Sequence, residues 1–254
     1  MAIKSLQRCP ICTGNFAQPY VKKDGYKFLK CSCAYIFCHP RPTQVELDKH
    51  YGVGDTSEVS QNILSNFYPK ASSRGRRAFF NAVKLLPYVW GKRVMDLGCG
   101  GGFVVGSMKT VGAREAVGID INPSSVGYAS AKYPKCKFHC GEFGDFSNRK
   151  LGRFDFIYSS EVIEHVLDVE AYMQFLVDMT EPLAKVFITT PDIASNQVPK
   201  NVTSWDVFSP PLHIQFFTQA TLTQLFERYG FKVIKRTTDR GGAGLKMLFI
   251  KSRS

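Results

Sequence analysis

"VMDLGCGGGF" occupies Val94 to Phe103: an apolar run, an aspartate, then glycine at alternate positions 98, 100 and 102. Glycine spaced this way after a strand gives a turn of bare backbone that a ligand can approach closely. A nicotinamide dinucleotide asks for G-x-G-x-x-G, with the third glycine packing the helix on the strand. Counted from Gly98 that third position is Phe103, so the fingerprint fails. S-adenosylmethionine (SAM) has no pyrophosphate to cradle. It carries an ammonium, a sulfonium and a ribose diol, and an acid beside the turn suits them. Asp96 precedes the glycines here.

Outward from this turn the chain alternates. "RVMDLG", "EAVGIDIN", "CKFHCGEF", "FDFIYSS" and "AKVFITTP" read as strands; "FVVGSMKTVG", "SSVGYASAKY" and "EVIEHVLDVEAYMQFLVDMT" read as helices between them. Such alternation needs a parallel sheet covered on both faces, an α/β fold with ligands at the carboxyl ends of the strands. Asp120 ends the second strand, where a carboxylate can accept both ribose hydroxyls. Glu142 and Phe143 follow the third strand and are expected to border the adenine. Cys99 in the turn, Ile121 after Asp120 and Ser160 at the end of the fourth strand complete the expected cofactor contacts, with Asp96, Gly98, Gly100 and Gly102.

Five of the eight cysteines, Cys9, Cys12, Cys31, Cys33 and Cys38, lie in the first 40 residues. "CPIC" and "CSC" flank a stretch that alternates around Asp24-Gly25, the pattern of a β-hairpin. Two turns facing each other across a hairpin can present four sulfurs tetrahedrally, as zinc requires. A module of about 40 residues also needs such a staple, because it cannot bury enough apolar surface alone. The expected ligands are Cys9, Cys12, Cys31 and Cys33, with Cys38 in reserve. The ribbon-like module is assigned to residues 1–42. Thr43 then reads as the N-cap of "QVELDKHY", with Glu46 at the capping-box position. Residues 43–74 are assigned to a helix and linker, and 75–254 to the main domain.

"VMDLGCGGGF", "VGIDINP" and "FDFIYSSEVIEHVLD" resemble the motifs of class I SAM-dependent methyltransferases, in particular the small-molecule branch that carries "EVIEHV" after the fourth strand. The resemblance covers roughly residues 75–254. "CPIC…CSCAYIFCHPRPT" and "SPPLHIQFFTQATLTQLFERYGF" resemble a subgroup in which a zinc ribbon precedes the methyltransferase and members modify sugars or other biosynthetic intermediates. The CxC departs from that subgroup's CxxC. The resemblance implies a Rossmann-like seven-stranded, mostly parallel sheet with a reversed last strand, helices on both faces, SAM as cofactor and structural zinc. "FKVIKRT" and "LKMLFIKS" would then be the final hairpin.

Methyl transfer from a sulfonium is an in-line displacement in which positioning carries much of the rate. A hydroxyl acceptor still has to lose its proton, which calls for a base near pH 7. His213 is the expected general base and His165 the second candidate. Glu161 and His165 are spaced i, i+4, so one helix face would carry both, with Glu161 orienting the cofactor. E-x-x-E-H shows no further ligand nearby in sequence, so no metal is expected at that helix. Residues 192–217 have little periodicity and read as a lid over the acceptor, walled by Trp205, Phe208 and His213.

The net charge of +12 is unevenly spread. Residues 61–93 hold seven Lys or Arg and no acid, whereas 94–190 hold nine basic and twelve acidic residues. The basic stretch is either a solvated helix or a grip on an anionic partner. The expected partner is a small-molecule acceptor, anionic or sugar-like. Nucleic acid is not expected, since no RNP motif, N-P-P-Y or Pro-Cys nucleophile is present. An RNA methyltransferase gripping through the ribbon, a SAM-binding scaffold without turnover and a ribbon that docks a partner are the competing readings. No apolar stretch approaches the roughly 20 residues of a membrane helix, and no signal-peptide core is seen, so a soluble cytoplasmic protein is expected.

Overall fold

The parallel strands read from the sequence assemble around β4 (Arg93–Leu97), the strand that runs into the glycine turn. The coordinates are a computed structural model that describes residues 8–14, 17–51, 71–238 and 242–253. The other strands are β1 (Ala17–Lys23), β2 (Tyr26–Cys31), β3 (Ile36–Cys38), β5 (Glu115–Asp120), β6 (Lys137–Cys140), β7 (Phe154–Ser160), β8 (Thr180–Pro191), β9 (Gln215–Phe216), β10 (Phe231–Thr238) and β11 (Gly244–Lys251). The large sheet has seven strands in the order β10-β11-β8-β7-β4-β5-β6. β4 to β8 are parallel, and β11 runs antiparallel to both β8 and β10. This is the expected seven-stranded sheet with one reversed strand.

Both faces are covered, which is why the central strands are continuously apolar. On one face the helix Val169–Met179 buries Val169, Tyr172, Met173, Leu176 and Met179, a stripe at helical spacing, alongside the helix Gln219–Arg228. On the other, the helices Ala71–Lys84 and Phe103–Thr110 contribute Ala82, Val105 and Met108 to a second core over Val94, Phe156 and Leu248. The chain winds from β4 one way to β5 and β6, then crosses back to β7. The carboxyl end of β4 is therefore the switch point, where a crevice opens.

The helix predicted from Glu161 starts later. Asp168 is its N-cap, accepting from the N–H groups of Glu170 and Ala171 at 3.0 Å, and Glu161–Leu167 form turns. Glu161 and His165 consequently share no helix face. An aspartate followed by a good helical run is a stronger start signal than the apolar residues before it.

Residues 192–217, expected as a lid, pack in large part against the ribbon-like module. β9 pairs with β3 and completes a second sheet, β1-β2-β3-β9. Phe208 is fully buried, its ring parallel to that of Phe216 at 4.6 Å and beside Phe28 at 4.5 Å. Trp205 packs on the same cluster. The aromatic residues expected to wall a pocket instead form the core under the ribbon-like module, so a boundary at residue 42 cuts through this sheet. The module is tied to the main domain by Gln215. Its amide donates to the carbonyls of Ile163 and Val166 at 2.5 and 3.0 Å, and its oxygen accepts from Arg41 at 2.8 Å.

Candidate active site

The glycine turn at the end of β4 is held by its own backbone. The N–H groups of Gly98 and Cys99 donate to Ile119 O at 2.9 and 3.0 Å, and that of Gly102 donates to Cys99 O at 3.0 Å. A side chain at Gly98 would strike Val162, and one at Gly102 would strike Ala129 and Phe138. Those two glycines serve packing. Gly100 differs: φ is +48° and nothing lies within 4 Å of where its Cβ would be. The open face expected of the whole turn belongs to Gly100. The Cys99 thiol is buried near Gly118 beneath the turn, so that residue supports the loop from below.

Two carboxylates flank the turn. Asp96 is buried and accepts no hydrogen bond among the described residues; burial first, then the charge of Asp120, pushes its pKa well above the usual carboxylate range. Asp120 accepts from Gly100 N–H at 2.7 Å and from Asn122 N–H at 2.9 Å. Burial raises its pKa, and those two bonds oppose the rise. Neither acid forms an ion pair among the described residues. A carboxylate has about four acceptor sites, so Asp120 keeps capacity for a ligand's hydroxyls. A buried acid without a cation is costly, and the ammonium and diol of SAM are the groups that would relieve this pair. Ile121 lies half-buried just beyond. Phe143 packs against Tyr172 and Phe175, while Glu142 accepts from Gln44 at 2.6 Å. Both sit at the end of β6 as expected, although their side chains already have protein partners.

The helix Gln44–Tyr51 closes over this end of the sheet, and its contribution was not legible in the sequence. Tyr51 accepts from Asn122 at 2.7 Å through its carbonyl, lays its ring against His165 at 6.1 Å, and keeps its hydroxyl buried with no hydrogen-bond partner among the described residues. The capping box that starts the helix was read correctly: Thr43 N–H donates to Glu46 at 2.7 Å, and Glu46 N–H donates back to Thr43 Oγ1 at 3.2 Å.

At the end of β7, Ser160 Oγ and Thr189 Oγ1 lie 2.6 Å apart, and Thr189 donates to Glu161 at 2.8 Å. Glu161 has φ of +55°, a left-handed conformation that costs a non-glycine residue energy and tends to cluster at functional sites. Beneath it the turn brings Glu164 and His165 to His213. The ring centroids of the two histidines are 4.6 Å apart, and one ligand atom from each of the three residues lies within 4.8 Å of the others. His165 Nδ1 is 3.0 Å from Leu212 O, and His213 Nδ1 is 2.5 Å from Val207 O. A carbonyl can only accept, so each Nδ1 carries the proton and each Nε2 presents a lone pair. Burial, then the charge of His213, holds His165 down to about 3, and burial lowers His213 as well. Glu164 is fully buried. One of its oxygens accepts from Thr190 at 3.0 Å; the other has no hydrogen-bond partner among the described residues and lies 3.9 Å from His165 Nε2.

E-x-x-E-H shows no further ligand nearby in sequence, but the fold brings His213, 48 residues on, within reach of Glu164 and His165. Three lone-pair atoms face one another, which is the donor set of a divalent cation. The nitrogens' other sides are fixed by carbonyls, as metal-bound imidazoles usually are.

The ribbon holds a second set. The Sγ atoms of Cys9, Cys12, Cys31 and Cys33 lie within 4.8 Å of one another, with Cys9–Cys33 at 3.7 Å and Cys12–Cys31 at 3.5 Å. A tetrahedron built on Zn–S bonds of about 2.3 Å has edges of about 3.8 Å. The CxC pair thus brings its two sulfurs as close to those of Cys9 and Cys12 as such a tetrahedron needs. Cys38 is not needed: it is buried elsewhere and its thiol donates to Pro40 O at 3.3 Å.

Residues 64–236 match the methyltransferase domain family. The ubiquinone biosynthesis O-methyltransferase of Aromatoleum aromaticum is 33% identical over 104 residues, covering 39% of this chain and 44% of the relative. That of Rhodopseudomonas palustris is 28% identical over 159 residues, covering 55% and 61%. The chain spans about half the length of the curated relatives it matches. Among solved structures, a SAM-dependent methyltransferase from Mesorhizobium loti aligns with a TM-score of 0.55 at 19% identity, over 68% of this chain and 98% of that one. Magnesium protoporphyrin IX methyltransferase from Synechocystis, with S-adenosylhomocysteine (SAH) bound, aligns at 0.56 and 16%, over 82% and 95%. Strand order, glycine turn and family match agree, and the chain belongs to the class I SAM-dependent methyltransferases.

Proposed function

We propose that the protein transfers the methyl group of SAM to a hydroxyl oxygen of a small molecule, a sugar or a related biosynthetic intermediate. The observation that carries this is the Glu164–His165–His213 cluster at the mouth of β7, beside the Asp96–Asp120 pair that would hold the cofactor. Gly100 would face the ligand, Asp96 would meet the ammonium through space or water, and Asp120 would accept the ribose hydroxyls. A divalent cation held by Glu164, His165 and His213 would supply Lewis acidity to the acceptor hydroxyl. Glu161, at the mouth and steadied by Thr189, would accept the hydroxyl proton. The names of the ubiquinone relatives, O-methyltransferases, support an oxygen acceptor. Four sulfurs near tetrahedral corners support a structural zinc in the ribbon. The basic stretch gives less support to an RNA grip than its charge suggests, because Arg93 is used internally: it pairs with Glu115 and donates to Leu151 O at 2.7 Å. No helix among the described residues is long and apolar enough to cross a membrane.

The test is transfer from methyl-labelled SAM to 3,4-dihydroxybenzoate and glucuronate, with chelated protein and with Mg²⁺, Mn²⁺ or Zn²⁺ added back. Label should appear on oxygen only when a cation is present, and His213→Ala should cut turnover by about 10²–10⁴-fold with SAM binding retained. Undiminished transfer without metal, lost in His213→Ala, would make His213 the base instead. Unchanged turnover in His213→Ala would remove the cluster from the reaction.

A further inference from the structure

A cavity of about 480 Å³ lies between the helix Ala71–Lys84, with the turn that follows it, and the sheet face of β7, β8, β11 and β10. Its size is that of a small-molecule site. Side chains alternate between the faces of a strand, and the register aligns two rows across this one. The first runs Tyr158, Phe187, Leu248, Lys235, and the second runs Ser160, Thr189, Lys246. The floor is thus apolar beneath the middle, with Tyr158 and Phe187 stacked at 5.3 Å. It is polar towards the carboxyl ends of β7 and β8. The end of the helix contributes Lys84 to the roof, and the chain that follows it contributes Leu85 and Tyr88. Among the described residues, Glu161, at the mouth, is the one acid in the lining, which also holds Lys84, Lys235 and Lys246.

We infer that this cavity is the acceptor subsite and that Lys84 and Lys235 select a ring-bearing acceptor with an anionic arm, a carboxylate or a phosphate. The inference rests on the proposed transfer reaction, which sets the reacting hydroxyl at Glu161. From β7 to β10 is three strand spacings of about 4.8 Å, roughly 14 Å in all. A ring lying over Tyr158 and Phe187 therefore reaches Glu161 with one edge and sends an arm towards Lys235 with the other. Neither Lys84 nor Lys235 forms an ion pair among the described residues, so both charges are available to an anion. The run of basic residues before β4 thereby acquires a specific use: one of its members, Lys84, roofs this cavity.

The test is binding to SAH-loaded protein by calorimetry, using matched pairs: 3,4-dihydroxybenzoate against 3,4-dihydroxybenzamide, and glucose 6-phosphate against glucose. At least one anionic member should bind about tenfold more tightly than its neutral partner, with the preference shrinking as salt rises. The carboxylate and phosphate pairs tell the two arms apart. The double variant Lys84→Glu, Lys235→Glu should abolish the preference while SAH affinity stays within about twofold. Equal binding of charged and neutral partners, failure of both anions to bind, or a preference retained in the double variant would overturn the inference. Loss of SAH binding in the wild type would instead overturn the underlying transfer reaction.

Discussion

Glu164→Gln is expected to give a more stable protein and a slower enzyme. The carboxylate is fully buried, one oxygen is unpartnered, and burial and the charge of Glu161 push its pKa well above the usual range. Leaving a buried acceptor unsatisfied costs about 1–3 kcal/mol. The amide fills the same volume, carries no charge, and places a donor near His165 Nε2. In cation-free protein the gain should appear as roughly 2–4 °C in melting temperature for each kcal/mol. Turnover should fall by about 10²–10³-fold, the order expected when one electrostatic contribution to the transition state is deleted. A residue kept at the expense of stability is one kept for function. Differential scanning calorimetry and initial rates on the same preparation decide it. A lower melting temperature with turnover intact would make Glu164 a structural residue and the cluster a packing arrangement.

Removing the zinc proposed for the ribbon should have the largest effect on stability. Apparent zinc affinities of such sites are about 10–16 kcal/mol, and much of that is folding free energy. The thiolate cluster shares its apolar core with the domain: Cys9, Ile11, Cys31 and Tyr35 pack with Ile163, Val166 and Phe217. Arg228 also donates to the carbonyls of Pro10 and Ile11. Unfolding of the ribbon would therefore loosen the Ile163–Val166 turn that carries Glu164 and His165. Cys31→Ser, or chelation, is expected to lower the melting temperature and to reduce turnover without touching the cofactor residues. Elemental analysis should find about one zinc bound through thiolates per chain. A Cys31→Ser protein with wild-type melting and full turnover would show that the four sulfurs hold no structural ion.

What the sequence made legible was what local pattern controls. The alternation from Arg93 to Pro191 is long and periodic, so the strand and helix types are right, and Asp24-Gly25 and Thr43 with Glu46 are right because turn and cap chemistry is local. Glu164 was missed because "EVIEHV" has helical spacing, while its actual turn is set by Asp168 capping the next helix. The meeting of His213 with His165 was invisible for another reason. It depends on a two-residue strand, β9, whose pairing with β3 no periodicity can announce. The supposed lid has the same origin: irregular sequence at 192–217 is equally a long loop and a chain that folds against a small sheet. The lysines of the cavity come from a helix and two strands, and only the register of β10 with β11 brings them to one face.

The central claim, that this site binds SAM and uses it, is tested most directly by calorimetric titration of SAM into the wild-type protein and into Asp120→Ala. The wild type should bind SAM at one site in the micromolar range. The variant should lose that binding, because both the ribose acceptor and the clamp on Gly100 are gone. A folded wild-type protein that takes up no SAM would contradict the claim.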